Sequence, residues 1–583
     1  MAIVGKTGDT NTNMRPKAAP AAIASTIGLM LMFHICSVAS CNDGQGPAAP
    51  ARVFSVKDFG AAGDGKTLDT AAINKAIAAC AAAGGGQVVL PAGKYLSGTV
   101  HLKSNVSLQL AEGARLIGTD DLEAYQHFQP PPQMPEAKWT RWHRALLLAD
   151  GAENVTITGP GTIDGNKVFD PKGEERMRGP HTILLGNCRK VTIEDLLIVD
   201  SANYAILFEC TDDVVIRRVS IAGGWDGVHF RGWQQRPCRN VTIADCQMAT
   251  GDDCIAGRYW ENVTIVNCSL NSSCNCVRLI GPATKLLIDN CRLWGPGLHP
   301  HRTSKRQNTL AGLNLQPGAW DRTEGHLDDV TLSNLTMENV ATAFHFALKP
   351  GNTAGKITVS NVKATGVYRA ASSVESWAKD AFGHVTFRNV TIEYQGGGTA
   401  EQARMPVKAP GTDARPLPAW GFYLRNVDTL RLENVHLECV KPDARPMLIA
   451  HTVQRLELDA LKFPPPPAGS DLMVLEDVSQ VELGEGQLRT VQPRVLQLRC
   501  QPEAPAATIQ AGKPIVLVAE VQNGPIAGLA KLEAKIAERT KTFWVWLAAG
   551  QRREVVLAGL TAPAPGQHLA ECAGATARIT VHP

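Results

Sequence analysis

The chain has 583 residues, with 58 Lys and Arg against 55 Asp and Glu, a formal charge of +3. That length suits more than one domain and a large core, and the near balance of charge excludes the basic excess that nucleic-acid binding requires. The 53 glycines point to a chain with many turns.

The N-terminus reads as an export signal. Arg15 and Lys17 precede an apolar run, which ends in small residues at Val38-Ala39-Ser40-Cys41. The last four resemble a bacterial lipobox, with Cys41 as the lipidated residue. The expected organisation is a signal over 1–41 and a linker over 42–52. The protein would then be periplasmic or at the cell surface, and would touch the membrane only through its lipid.

Residues 70–82, TAAINKAIAACAA, read as an amphipathic helix after a turn-rich GAAGDGKTLD. This helix is the expected N-terminal plug of a stack of strands. From residue 154 a short phrase recurs: Asn154-Val155-Thr156-Ile157, Lys190-Val191-Thr192-Ile193, Asp213-Val214-Val215-Ile216, Asn240-Val241-Thr242-Ile243, Asn262-Val263-Thr264-Ile265 and Lys285-Leu286-Leu287-Ile288. From Val191 the successive intervals are 23, 27, 22 and 23 residues. Each unit is a short alternating β-branched strand with turn residues after it. One such unit cannot bury its apolar side chains alone, whereas stacked units can, so the repeat predicts an all-β solenoid, a parallel β-helix, over 53–490. Asn240 and Asn262 are then structural turn residues. Cys246, Cys268 and Cys291 recur at one place in the phrase and are expected to form a stack of small buried side chains. No Cys/His set has convincing zinc spacing, and no metal or cofactor is expected.

Two acidic residues break the pattern. Asp252 and Asp253 stand together in MATGDDCIAG, and Asp226 lies 26 residues before Asp252, about one coil. Residues one coil apart stack at about 4.8 Å, so the three carboxylates are expected in one patch. Crowded carboxylates separate their pKa values, which suits a proton donor beside a water activator in glycoside cleavage; the same atoms also suit calcium. Trp225, Trp233, Trp260 and Trp294 recur along these coils and offer indole faces for sugar stacking, with packing under loops as the alternative. His229 is a candidate sugar contact or a structural histidine. The irregular segments 125–145, with Trp139, Trp142 and His143, and 295–310, with His299, His301, Arg302, Lys305 and Arg306, are expected to wall a groove, their charged residues mostly solvated.

Pro464–Pro467 marks a loop near the last coils, and beyond residue 495 the repeat stops. Residues 495–583 read as a separate immunoglobulin-like β-sandwich, with Cys500 and Cys572 as a possible bridge. Because the repeat ends before it, its removal is expected to leave the solenoid folded.

The stretch VFSVKDFGAAGDGKTLDTAAINKAI, then ITGPGTIDG, then TGDDC resembles family 28 glycoside hydrolases, the polygalacturonase and rhamnogalacturonase group. The resemblance covers roughly residues 53–320 with motifs. It implies a right-handed parallel β-helix and inverting hydrolysis of a polysaccharide by three aspartates. Asp252 resembles the general acid, and Asp226 and Asp253 resemble the pair that activates water. The family's Asn-Thr before the first aspartate is Gly224-Trp225 here. Its Gly-His-Gly is Cys274-Asn275-Cys276, and its Arg-Ile-Lys is Asn314-Leu315-Gln316. These departures suggest a substrate other than plain polygalacturonate, with Trp225, His229, Arg258, Asn275, Arg278, Asn314 and Gln316 as candidate substrate contacts. The expected protein is a monomer acting on a plant or algal polysaccharide. A lyase or epimerase on the same scaffold and a non-catalytic carbohydrate-binding solenoid are the alternatives.

Overall fold

The computed structural model describes residues 52–134, 143–501 and 509–583. Cys41 with the whole export signal, and Trp139 and Trp142, lie outside the described residues. Among those described, no helix is long and apolar enough to cross a membrane.

The repeat folds into a parallel β-helix. In the regular coils, each strand pairs in parallel with the third strand after it, so three strands make one coil and three faces run the length of the stack. The N-V-T-I phrase forms the first face. Val155, Val191, Val214, Val241, Val263 and Leu286 stand in register on successive strands. All six are buried, while the residue after each, Thr in four phrases and Val215 and Leu287 in the other two, lies on the outer side and is only partly buried. Alternation in sequence thus becomes an apolar ladder inside the coil.

The residue before each of these apolar positions is left-handed: Asn154, Lys190, Asp213, Asn240, Asn262 and Lys285 have φ between 54° and 58°. Asn and Asp tolerate this conformation best among non-glycine residues. Their side chains also link coil to coil. Asn240 Nδ2 donates to Asp213 Oδ1 at 2.8 Å, and Asn262 Nδ2 to Asn240 Oδ1 at 2.8 Å. A second ladder stands one turn later, where Asn290 Nδ2 donates to Asn267 Oδ1 at 2.8 Å and Asn267 Nδ2 to Asp245 Oδ1 at 3.1 Å. Cys246, Cys268 and Cys291 are buried, and each thiol lies against a carbonyl oxygen two residues earlier in its own chain.

Helix α1 (Thr70–Ala82) lies against the first strands and buries Ile73, Ala76, Ile77 and Cys80 in the same core as the coils. From Thr490 onward the strands form two further sheets facing each other across Leu517, Ala519, Leu532, Leu547 and Leu557. This part is not detached. Leu529 and Trp546 belong to the solenoid's own core cluster, Lys541 Nζ donates to Asp477 at 2.6 Å, and Arg553 pairs with Asp471 at 2.6 Å. Cys500 and Cys572 are free thiols on different sheets, so the bridge raised from sequence does not form.

Candidate active site

The third face carries the carboxylates. Its strands Val228–Arg231, Ile255–Arg258 and Asn275–Leu279 lie side by side. Val228 pairs with Ile255, an interval of 27 residues. The Gly227 amide donates to the Asp253 carbonyl at 2.9 Å. Asp226 is therefore level with Asp253, and Asp252 sits one residue earlier, at the turn. The coil runs 27 residues on all three faces here, Val214 to Val241, Ser220 to Gln247 and Val228 to Ile255, so the 26-residue interval to Asp252 falls one residue short of exact register.

All three aspartates are buried and line one cavity of about 300 Å³. Asp252 Oδ2 accepts from Arg178 Nη2 at 2.9 Å, with His301 Nε2 at 3.6 Å; Arg306 Nη2 lies 3.7 Å from Oδ1. Asp253 Oδ1 accepts from the Asn275 amide at 2.9 Å and from Asn275 Nδ2 at 2.8 Å, and its Oδ2 lies 3.5 Å from Arg278 Nη1. Asp226 Oδ2 meets His229 Nδ1 at 2.8 Å, and the His229 ring stacks on Tyr204 at 4.3 Å with a 4° interplanar angle.

These surroundings divide the protons. Burial raises the Asp226 pKa well above its ordinary value, and the charges of Asp252 and Asp253 raise it further. Burial also raises Asp253, with Arg278 pulling the other way. Burial works to raise Asp252 as well, but the contact to His301 and the charges of Arg178 and Arg306 overcome it and hold this carboxyl low. Burial drives His229 well below the usual imidazole range, so it is neutral. These surroundings thus favour the proton on Asp226 and leave Asp252 ionised. The pattern favours a shared proton among three coupled carboxyls.

The other candidates divide. His229 and Arg278 line the cavity. Trp225 does not; it is fully buried, with Arg178 over its ring at 3.9 Å and His301 edge-on at 5.1 Å, so it braces those two side chains from beneath. Arg258 is buried and spent on Asp321. Asn275 is buried and holds Asp253, in the place where the resemblance led one to seek a histidine. Asn314 and Gln316 are buried and donate to the carbonyls of Thr412 and Gly411 at 3.3 and 2.7 Å. These five contact protein and do not reach the cavity. Trp260 is buried against Phe230.

Several cavity residues escaped the sequence reading: Glu174, Glu175 and Arg178 from the loop before the strand His181–Gly186, Tyr204, Trp320, Thr412 and Asp413. The sequence suggests solvated loop positions for His301 and Arg306, yet His301 is buried and both face Asp252. Nothing in GEERMRGP separates Arg178 from Arg176, and nothing periodic marks Asp413. Asp252, Asp253 and Cys274 bring one donor atom each within 4.8 Å of one another, as do Glu175, Asp252 and His301. Arg178 and Arg306 already balance the shared Asp252 in both groups.

A long parallel β-helix with three buried aspartates in one cavity is the arrangement to set beside known proteins. Residues 53–277 match the family described as rhamnogalacturonase A/epimerase, pectate lyase-like. A probable polygalacturonase of Vitis vinifera is 26% identical over 370 residues, 59% of this chain and 74% of that one. An endo-polygalacturonase of Pectobacterium parmentieri is 23% identical over 437 residues, 70% of this chain and 97% of that one. The crystal structure of a hyperthermoactive exopolygalacturonase from Thermotoga maritima shares the fold, at 20% identity and a TM-score of 0.51, over 68% of this chain and 93% of that one. The chain is thus similar to polygalacturonases at low identity, and with the solved exopolygalacturonase it shares the fold.

Proposed function

We propose that the protein is an exported hydrolase that cleaves a pectic-type polysaccharide by acid/base inversion, with Asp226, Asp252 and Asp253 as its acid/base set. The observation that carries this reading is the gathering of three buried carboxyls from two adjacent coils on one cavity, with unlike electrostatic surroundings. Two groups of opposite protonation are what glycoside hydrolysis needs.

In this reading Asp252 protonates the leaving oxygen, and Asp226 and Asp253 orient and deprotonate the water. The resting charges oppose that assignment, since Arg178 and His301 keep Asp252 ionised. The shared proton must pass from Asp226 to Asp252 when a saccharide enters and displaces the cation contacts. The substrate differs from plain polygalacturonate at the cleavage point. Asn314 and Gln316 stand where the family's cations are expected, and Arg278 is engaged by Asp253 and Asp413. Export rests on the signal ending at Cys41.

The test is a panel of pectic, hemicellulosic and algal polysaccharides incubated with the wild type and with Asp252→Asn, the products being read by chromatography and mass. Saturated sugars from the wild type alone support the proposal. Unsaturated products would replace hydrolysis with elimination.

A further inference from the structure

The outward positions of the third face form a row in register: Leu184, Leu207, His229, Ala256, Arg278, Asn314, His345, Ser373 and Tyr423. A polysaccharide passing through the site would lie along this row, across successive coils. Among the described residues of the row, His229, Ala256 and Arg278 line the cavity beside the aspartates, while Leu184, Leu207, Asn314, His345, Ser373 and Tyr423 are buried away from it.

On the N-terminal side, Phe128 and Tyr204 cover Leu148, Leu184 and Leu207 in a small apolar cluster. On the C-terminal side a segment with no counterpart in the repeat, 397–421, lies across the row. It is held at several points. Arg415 forms a two-pronged ion pair with buried Glu375 at 2.9 and 2.7 Å, and Trp377 Nε1 donates to the same carboxylate at 2.9 Å. Leu417 and Ala419 pack with Val407 against Ala371, Tyr423 and Ile449. The carbonyls of Pro410, Gly411 and Thr412 receive Lys349, Gln316 and Arg278 in turn. A fork on a buried carboxylate with an apolar footing makes a fixed wall.

We propose that the site is a dead-end pocket for the terminal sugars of a chain, with residues 405–420 as its stop, so that cleavage releases one or two sugars at a time from chain ends. The proposal rests on the hydrolase reading and adds its mode of action. The 300 Å³ cavity agrees with it, lying at the small end of the roughly 300–1,000 Å³ range of ligand sites. Three walls surround the opening: Glu174 to Arg178, His301 to Arg306 with Trp320, and Thr412 with Asp413. Trp320 is 44% exposed there and offers a face to an entering sugar.

Two measurements on the full chain test this. In a digestion time course on pectic polysaccharide, the wild type should yield mono- and disaccharides from the first samples while viscosity falls slowly. A ladder of intermediate oligosaccharides at the start would overturn the pocket and leave the hydrolase intact. The double variant Arg415→Ala/Glu375→Gln loosens the wall without leaving a buried charge, and it should release longer products. The second measurement needs no turnover. Asp252→Asn is titrated with trimers and hexamers of galacturonate and of rhamnogalacturonan. A dead-end pocket predicts affinities within about twofold for the two lengths, whereas hexamers tighter by about tenfold or more would show an open groove. If neither length binds, the pocket is wrong. Binding by Asp252→Asn together with no hydrolysis by the wild type would sink the hydrolase reading alone.

Discussion

Asp413 Oδ1 accepts a hydrogen bond from Arg278 Nη2 at 3.0 Å, across 135 residues of sequence. The cation lies on the floor of the site and the carboxylate on the wall, so the chain places its own acid where an acidic sugar would bind. Asp413→Asn should release this cation. The expected outcome is a several-fold lower KM for uronate-bearing oligosaccharides, with neutral oligosaccharides unaffected. Equal effects on both would show that Asp413 acts only on the position of the wall.

Asp252→Asn should lower kcat by on the order of 10²–10⁴-fold with unchanged thermal unfolding, because an amide cannot deliver the proton. Glycosides with strongly activated leaving groups need little protonation and should recover most of the rate in this variant. If recovery is seen in Asp226→Asn instead, the proton is delivered from Asp226, where burial favours it, and the two roles exchange.

The raised pKa of Asp226 also has a stability sign. A carboxyl whose folded-state value is raised favours folding most below its ordinary value of 3.8, and that contribution is lost as pH rises through the folded value. Asp226→Asn removes the loss. Its melting temperature should exceed that of the wild type by at least about 2 °C at pH 7, with the gap shrinking toward pH 4. A constant gap across that range would mean that the carboxyl's ionisation is not what strains the site.

How much of this was legible in the sequence depended on periodicity. Val191, Val214, Val241 and Val263 announced the ladder because each coil repeats the same in-and-out alternation, and the aspartates stood out against it. The site's other half comes from irregular segments. Arg178, His301 and Asp413 lie far apart in sequence and meet only because three loops fold over the same coils. Trp225 was misjudged for a related reason. Alternation cannot be carried through a turn, and the turn before Asp226 rotates the indole inward, under Arg178.

The C-terminal part illustrates the same limit. The repeat ends before residue 495, which suggested a dispensable module. Trp546, however, joins the core of the solenoid, and Lys541 and Arg553 pair with residues of its last coils. Trp546→Ala should cost about 3–5 kcal/mol, and truncation at residue 493 should give insoluble or less stable protein. A truncated chain that melts like the full one would show that the last coil closes itself.

The thirteen cysteines among the described residues are all free, and eleven of them are buried. The stacked thiols take the place of side-chain methyls, so assembly of the coils draws nothing from an oxidising environment. A reducing medium should therefore leave the described coils as stable as an oxidising one, which melting with and without a thiol reductant would check. Prolonged exposure to air or to thiol reagents should leave its unfolding curve unchanged until the coils themselves come apart.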